Sequence, residues 1–188
     1  MNKIIKNTLI LTLITTIAGF ALGTVYEVTK EPIRLSEEQA KKDACRIAFP
    51  EADEFTAVEV EDNPAVNEVY SAAEGGRQAG YVITTTDKEG YGGDIKISVG
   101  IRNDGTTNGI SILSINETAG LGMKAKEPQF YEQFMNKDTD KFFVSKDGGE
   151  GEPIDAIGGA TITSRAMTSA VNTALAYYND VLGGGVNE

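Results

Sequence analysis

"DIKISVGIRNDGTTNGISILSIN", Asp94 to Asn116, alternates Ile95, Ile97, Val99 and Ile101 with Lys96, Ser98, Gly100 and Arg102 until Asn103-Asp104-Gly105 interrupts the run. A period of two places the four branched side chains on one face of a strand, and the Asn-Asp-Gly triplet has the turn chemistry that leads into "NGISILSIN". Upstream, "AGYVITTTD" is a third β-rich run. Together they predict an antiparallel meander in which the strand around Val99 buries one face. Before the meander, "EADEFTAVEVEDNPAVNEVYSAAEGG" holds alternating fragments at Val58/Val60 and Val69/Tyr70, broken by Pro64 and Gly75-Gly76. That pattern predicts short strands or loops.

Helices flank this sheet in sequence. Ala166, Met167, Ala170, Val171, Ala174, Leu175 and Tyr178 recur with helical period from Ser164 onward, and Gly183-Gly184-Gly185 is expected to end that helix. Ser36 and Gln39 have capping-box spacing, with Leu35 and Ala40 placed as a hydrophobic staple, so a helix from Glu37 to about Phe49 is expected before Pro50 stops it. A sheet with two or more helices makes an α+β domain.

The N-terminal segment differs from the rest. Lys3 and Lys6 precede a stretch from Asn7 to Tyr26 without any charge, and roughly 20 uncharged residues at helical rise match the hydrocarbon thickness of a bilayer. A cleaved signal peptide is the competing reading, because Ala18-Gly19-Phe20-Ala21 loosely resembles a processing site. The length of the apolar run favours a retained, single-pass transmembrane anchor. Lysines on its N-terminal flank place that end in the cytoplasm and the following domain outside the cell membrane. The expected organisation is an anchor at 1–29, a stalk helix and linker at 30–62, and a folded domain at 63–188.

Composition excludes several chemistries. The formal net charge is −11, and the residues after Arg46 hold 10 basic against 23 acidic side chains. A body so acidic repels nucleic acid and anionic lipid headgroups. The chain has no histidine, no tryptophan and one cysteine, which removes histidine acid–base catalysis, histidine-held haem, the usual zinc sites and iron–sulfur clusters. No catalytic residue and no metal ligand is expected. Any redox work must sit on an organic cofactor, and Cys45 reads as a small buried hydrophobe.

Three stretches are rich in glycine and hydroxyls. "DAIGGATITS", Asp155 to Ser164, stands at the start of the last helix, where unpaired N–H groups favour an anion. Gly158, Gly159 and Ala160 would let a phosphate approach the backbone, although the spacing is neither a Walker loop nor GxGxxG. The structural alternative is a helix cap made by Thr163 or Ser164 after a glycine turn. "NETAGLGMKAKEP" offers Glu117 and Thr118 and then Gly120-Leu121-Gly122, which would let a flat group lie against backbone under Leu121, or would serve only as a loop with a solvated Glu117. "GYGGDI" places Gly92 and Gly93 at a strand entry, where an ordinary turn explains them equally well.

In this order, "GYGGDIKISVGI", "NETAGLGMKAKEP" and "DAIGGATITS" resemble the FMN-binding domain shared by the G subunit of Rnf ferredoxin:NAD oxidoreductase complexes and the C subunit of sodium-pumping NADH:quinone reductase. The resemblance covers about residues 80–178. It implies an N-terminal transmembrane helix followed by one FMN-binding domain, with an antiparallel sheet and flanking helices. It also implies FMN attached by a flavin transferase, through its phosphate, to the threonine closing an Asp-x-x-Ser/Thr-Gly-Ala-Thr motif. Asp155, Gly159, Ala160 and Thr161 match that motif, so Thr161 is the implied attachment point, with Gly158, Thr163 and Ser164 beside it. Glu117, Thr118, Gly120, Leu121 and Gly122 would line the isoalloxazine, with Gly92 and Gly93 near it. Gly158 stands where the family has a hydroxyl residue, and Ala119 where it has proline, which implies a looser loop under the ring.

The implied role is electron transfer within a membrane-bound, ion-translocating complex, together with its other subunits, by a chain that is not catalytic alone. The sodium-pumping quinone reductase or another flavin carrier is the neighbouring alternative. A membrane-anchored binding or interaction module with purely structural glycine loops is the alternative of another class.

Overall fold

A computed structural model describes residues 2–61 and 63–183. Contacts divide the chain into two units, Met1–Ala40 and Lys41–Glu188. Of the expected glycine stop, Gly183 is described, while Gly184 and Gly185 lie outside the described residues.

The first unit consists of helix. α1 runs over Lys3–Ala48, so all but its last turns belong to this unit. It is long and apolar enough to cross a membrane, and Leu9, Ile14, Ile17, Phe20 and Leu22 all stand exposed. This fits a single-pass membrane protein. Four threonines of the apolar run are compatible with lipid because their hydroxyls donate back to a carbonyl of the preceding turn: Thr8 Oγ1 to Ile4 O at 2.9 Å, Thr15 Oγ1 to Leu11 O at 3.1 Å, Thr16 Oγ1 to Thr12 O at 2.8 Å and Thr24 Oγ1 to Phe20 O at 2.9 Å.

The separate helix expected after a Ser36 cap is not formed, because α1 continues through Pro32 and Ser36 without a break. Proline inside a helix costs about 3 kcal/mol through one lost hydrogen bond and a steric clash. Arg34 pairs with Glu31 at 2.6 Å and Glu38 at 2.5 Å across the next turn, which recovers only a small part of that cost. Ser36 therefore sits mid-helix, and the chain leaves the helix only at Phe49-Pro50.

In the second unit, β1 (Glu54–Val58), β2 (Val66–Glu74), β3 (Arg77–Asp87), β4 (Ile95–Arg102) and β5 (Thr107–Ser114) form one sheet in chain order. Every neighbouring pair is antiparallel. The expected meander is β3–β4–β5, with the Asn103-Asp104-Gly105 turn between its last two strands. The fragments at Val58 and Val69 are also strands of this sheet. Residues 41–58, expected as stalk and linker, thus contribute a helix end and an edge strand to the compact unit.

α3 (Thr161–Tyr177) covers one face of the sheet. Ile83, Ile95, Ile97, Val99 and Ile101 are fully buried in one cluster with Met167, Val171 and Leu175. Burying each such side chain stabilises by about 1.5–3 kcal/mol. Thr85 Oγ1 donates to Ala170 O at 3.0 Å and fixes helix to sheet.

The other face of β4 was expected to meet solvent, and it does not. Ser98 and Gly100 are buried, and the last turn of α1 lies over them, with Ala44, Cys45, Ala48 and Phe49 buried. A Cβ on Gly100 would overlap the Ala48 carbonyl oxygen, and one on Gly109 would stand 2.8 Å from it. The small residues that read as a solvated face are instead what lets helix backbone rest on the sheet.

Two short strands, β6 (Phe142–Val144) and β7 (Glu152–Ile154), pair in parallel near α3. Side-chain amides clamp both ends of this segment. Asn172 Oδ1 accepts from Phe142 N at 2.8 Å while its Nδ2 donates to Phe142 O at 2.9 Å. Gln133 Oε1 accepts from Asp155 N at 2.7 Å while its Nε2 donates to Asp155 O at 3.3 Å. Gln133 follows the one-turn helix α2 (Pro128–Tyr131), so these clamps fix the chain just before α3 begins.

Candidate functional site

α3 begins three residues earlier than its apolar period indicates. Ala160 occupies the N-cap position without any side-chain cap, and Thr161 is the first helical residue. The alternative reading of a cap by Thr163 or Ser164 therefore does not hold. Ser164 works from behind the loop instead, where its Oγ donates to Ala160 O at 3.0 Å and accepts from Ile157 N at 2.9 Å. Together with Ala160 N donating to Ile157 O at 2.9 Å, this closes the Gly158-Gly159 loop and aims the first turn of α3 outward. The amides of that first turn have no partner within the helix.

The loop after β5 faces this helix end. Leu121 N donates to Thr118 O at 3.1 Å, and Gly120 takes φ 74°, which makes Thr118 to Leu121 a type II turn with Ala119 at its second position. The loop expected to be loosened by the missing proline is thus a closed turn. A 3-10 turn from Gly122 to Lys126 follows and packs against α3.

Between these segments lies a cleft of about 530 Å³, within the roughly 300–1,000 Å³ of small-molecule and cofactor sites. Glu117, Thr118, Leu121 and Gly122 form one side, and Gly159, Ala160, Thr161 and Thr163 the other. Two polar atoms buried here have no hydrogen-bond partner, Glu117 Oε1 and Thr163 Oγ1. An unpaired buried polar atom costs about 1–3 kcal/mol, so both suit a ligand that supplies a donor or an acceptor. A Cβ on Gly122 would come within 2.7 Å of Glu117 Oε2 and of Thr163 Oγ1; only glycine leaves room for the two side chains to converge. No lysine or arginine lines the cleft among the described residues. A phosphate at Thr161 would therefore rely on the helix amides and dipole.

The remaining expected residues sit around the cleft rather than in it. Gly120 shapes the turn, and Ser164 is fully buried behind the loop. Gly92 and Gly93 do not line the cleft; Gly92 packs on Asn116. Asp155 and Gly158 border a neighbouring depression of about 460 Å³ with Lys124 and Gln133. Asp155 itself is exposed and accepts from Ser145 Oγ at 3.1 Å. Two lining residues escaped the sequence reading, Tyr91 and Ile162. Both were present in the quoted motifs, Tyr91 between the glycines of "GYGG" and Ile162 between two threonines.

One turn into α3, Arg165 grips Asp147 with two bonds of 2.7 and 2.5 Å. The guanidinium holds the Asp147 carboxyl below the ordinary carboxylate range and ties the loop after β6 to the helix carrying Thr161.

A family model described as the FMN-binding domain matches residues 90–176, a span containing both sides of the cleft. Among known proteins, the chain is similar to the G subunit of the proton-translocating ferredoxin:NAD(+) oxidoreductase complex of Clostridium ljungdahlii, with 34% identity covering 97% of this chain and 96% of that one. The G subunit of the Na(+)-translocating ferredoxin:NAD(+) oxidoreductase complex of Acetobacterium woodii is 33% identical over 95% of this chain and 93% of its own. Among solved structures, the crystal structure of Shewanella oneidensis NqrC superposes with a TM-score of 0.47 and 18% identity, covering 68% of this chain and 67% of that one.

Proposed function

We propose that this chain, which belongs to the G-subunit family of ion-translocating oxidoreductase complexes, is a single-pass electron-transfer subunit carrying FMN esterified through its phosphate to Thr161. Its partners are the other subunits of a membrane-bound ferredoxin:NAD oxidoreductase and, during maturation, a flavin transferase. It carries electrons and is not an enzyme by itself.

The observation that carries this reading is the cleft in which Thr161, at the first position of α3, shares one lining with the Glu117–Gly122 loop and the unpaired Thr163 hydroxyl. Bound FMN supplies one- and two-electron redox chemistry that the side chains lack. The chain's own groups hold and orient it. Thr161 contributes the ester oxygen, and the amides of Thr161, Ile162 and Thr163 offset the negative charge that a phosphodiester retains. Gly158 and Gly159, both exposed, leave the transferase a bare approach to that hydroxyl. Leu121 provides apolar cover, while Glu117 and Thr163 offer an acceptor and a hydroxyl to the polar edge of the ring or its ribityl chain.

Lys3 and Lys6 before the apolar run of α1 orient the N-terminus to the cytoplasm and the acidic FMN-binding domain outside it. A covalent link suits that location, because flavin lost there would not be replaced from the cytoplasmic pool.

The test is a denaturing gel of the full chain purified from cells that contain the transferase. Flavin fluorescence migrating with the polypeptide is expected; a colourless, non-fluorescent band would leave an anchored interaction module as the better description.

A further inference from the structure

Tyr91 is 71% exposed at the mouth of the cleft that it lines with Leu121 and Thr161. Among the described residues its ring meets no other ring and its hydroxyl makes no hydrogen bond. A side chain of that size normally buries much of its surface or finds a partner for its polar tip. Tyr91 does neither, although the backbone around it is firmly placed.

The two flanking glycines do the placing. A Cβ on Gly92 would overlap the Asn116 carbonyl oxygen, and one on Gly90 would come within 2.9 Å of Ile95 Cγ1 and 3.1 Å of Glu117 Oε1. Asn116 Nδ2 donates to Gly92 O at 3.4 Å, and Gly93 N donates to Gly90 O at 3.3 Å. The loop thus rests on the residues that form one side of the cleft. Leu121 and Ile162 are also large apolar side chains left 43% and 47% exposed there, so the cleft mouth gathers apolar surface on an otherwise acidic unit. Such a rim matches a flat, aromatic occupant.

Resting on the FMN reading above, we infer that Tyr91 stacks on the isoalloxazine from the solvent side and completes, with Leu121 and Ile162, the apolar walls that orient it. Tyr91 is a positioning residue for the flavin and takes no part in attaching it.

The chain offers a direct readout. It has no tryptophan and seven tyrosines, of which only Tyr91 lines the cleft. A tyrosine ring in contact with an excited flavin quenches its fluorescence by donating an electron that then returns, whereas phenylalanine stacks without quenching. The full chain, Tyr91→Phe and Tyr91→Ala are matured with the transferase, and intact mass is measured to establish equal attachment. Flavin fluorescence of each folded protein is then compared with that of the same sample unfolded. The wild type is expected to brighten several-fold on unfolding, and both variants to be bright while folded. Flavin circular dichroism should persist in Tyr91→Phe and fall in Tyr91→Ala. Flavin-bearing variants as dim as the wild type would overturn the role of Tyr91 while leaving attachment intact. A wild-type chain without FMN would overturn the attachment itself, and this inference with it.

Discussion

Glu117 and Thr163 converge on the empty side of Gly122: a Cβ there would stand 2.7 Å from Glu117 Oε2 and 2.7 Å from Thr163 Oγ1. Two segments far apart in sequence thus meet over one missing methyl group. Gly122→Ala forces one of them aside. The expected cost is about 1–3 kcal/mol of stability, the range for overpacking a filled interior, measured by denaturant unfolding of the flavin-bearing chain. Adding Thr163→Ala should recover part of that loss, because it removes one of the two clashing oxygens.

Ala119 occupies the second position of the turn from Thr118 to Leu121, where backbone geometry favours proline. Ala119→Pro is expected to raise stability by about 0.4–1 kcal/mol through the unfolded chain, since proline has fewer conformations to lose. A shift in the denaturant midpoint at constant slope is the measurement. A lowered midpoint would mean that the turn is not the type II form described.

Gly100 lies beneath the Ala48 carbonyl, and a Cβ there overlaps backbone that cannot swing away. Gly100→Ala should therefore lift the end of α1 from the sheet. Cys45, 4% exposed in the native fold, reports this directly: the wild type should react slowly with a thiol reagent at neutral pH, and the variant many times faster.

Cys45 also gives a pH dependence. Burial, with the Glu68 carboxylate adding to it, pushes its thiol from 9.0 up to about 11. A raised folded-state value means that its contribution to stability is whole below pH 9.0 and is lost as pH climbs towards about 11, at no more than about 1.4 kcal/mol per pH unit. Tyr70, pushed up to about 12 by burial and its bond to Glu68, acts in the same sense at higher pH. Cys45→Ala should flatten the profile between 9.0 and about 11, and the difference between the two curves isolates the thiol.

Much of this was legible in the sequence, for identifiable reasons. Ile95 to Ile101 alternate strictly, and Asn103-Asp104-Gly105 has one conformational use, so the meander declared itself. The cleft was legible because glycine and hydroxyl runs announce backbone that something must approach. The start of α3 was hidden because Ala160 caps with its main chain alone, leaving Ser164 as the first apparent signal. The covered face of β4 was hidden because Ser98 and Gly100 look alike whether they meet water or a helix backbone. Tyr91 was hidden because Gly92 and Gly93 beside it, which read as a strand-entry turn and as neighbours of the flavin, carried the whole signal of that motif. β6 and β7, three residues each, are too short for a period to show, and β6 is held at Phe142 by the distant amide of Asn172.

Attachment at Thr161 is tested most directly by intact mass spectrometry of the full chain matured beside the transferase, with Thr161→Ala in parallel. The wild type should be heavier than its polypeptide by one FMN less one water, and the variant should show the bare polypeptide while keeping its fold, because Thr161 lies at the rim of the cleft. A wild-type spectrum of bare polypeptide, or a Thr161→Ala variant that still carries the added mass, would contradict it.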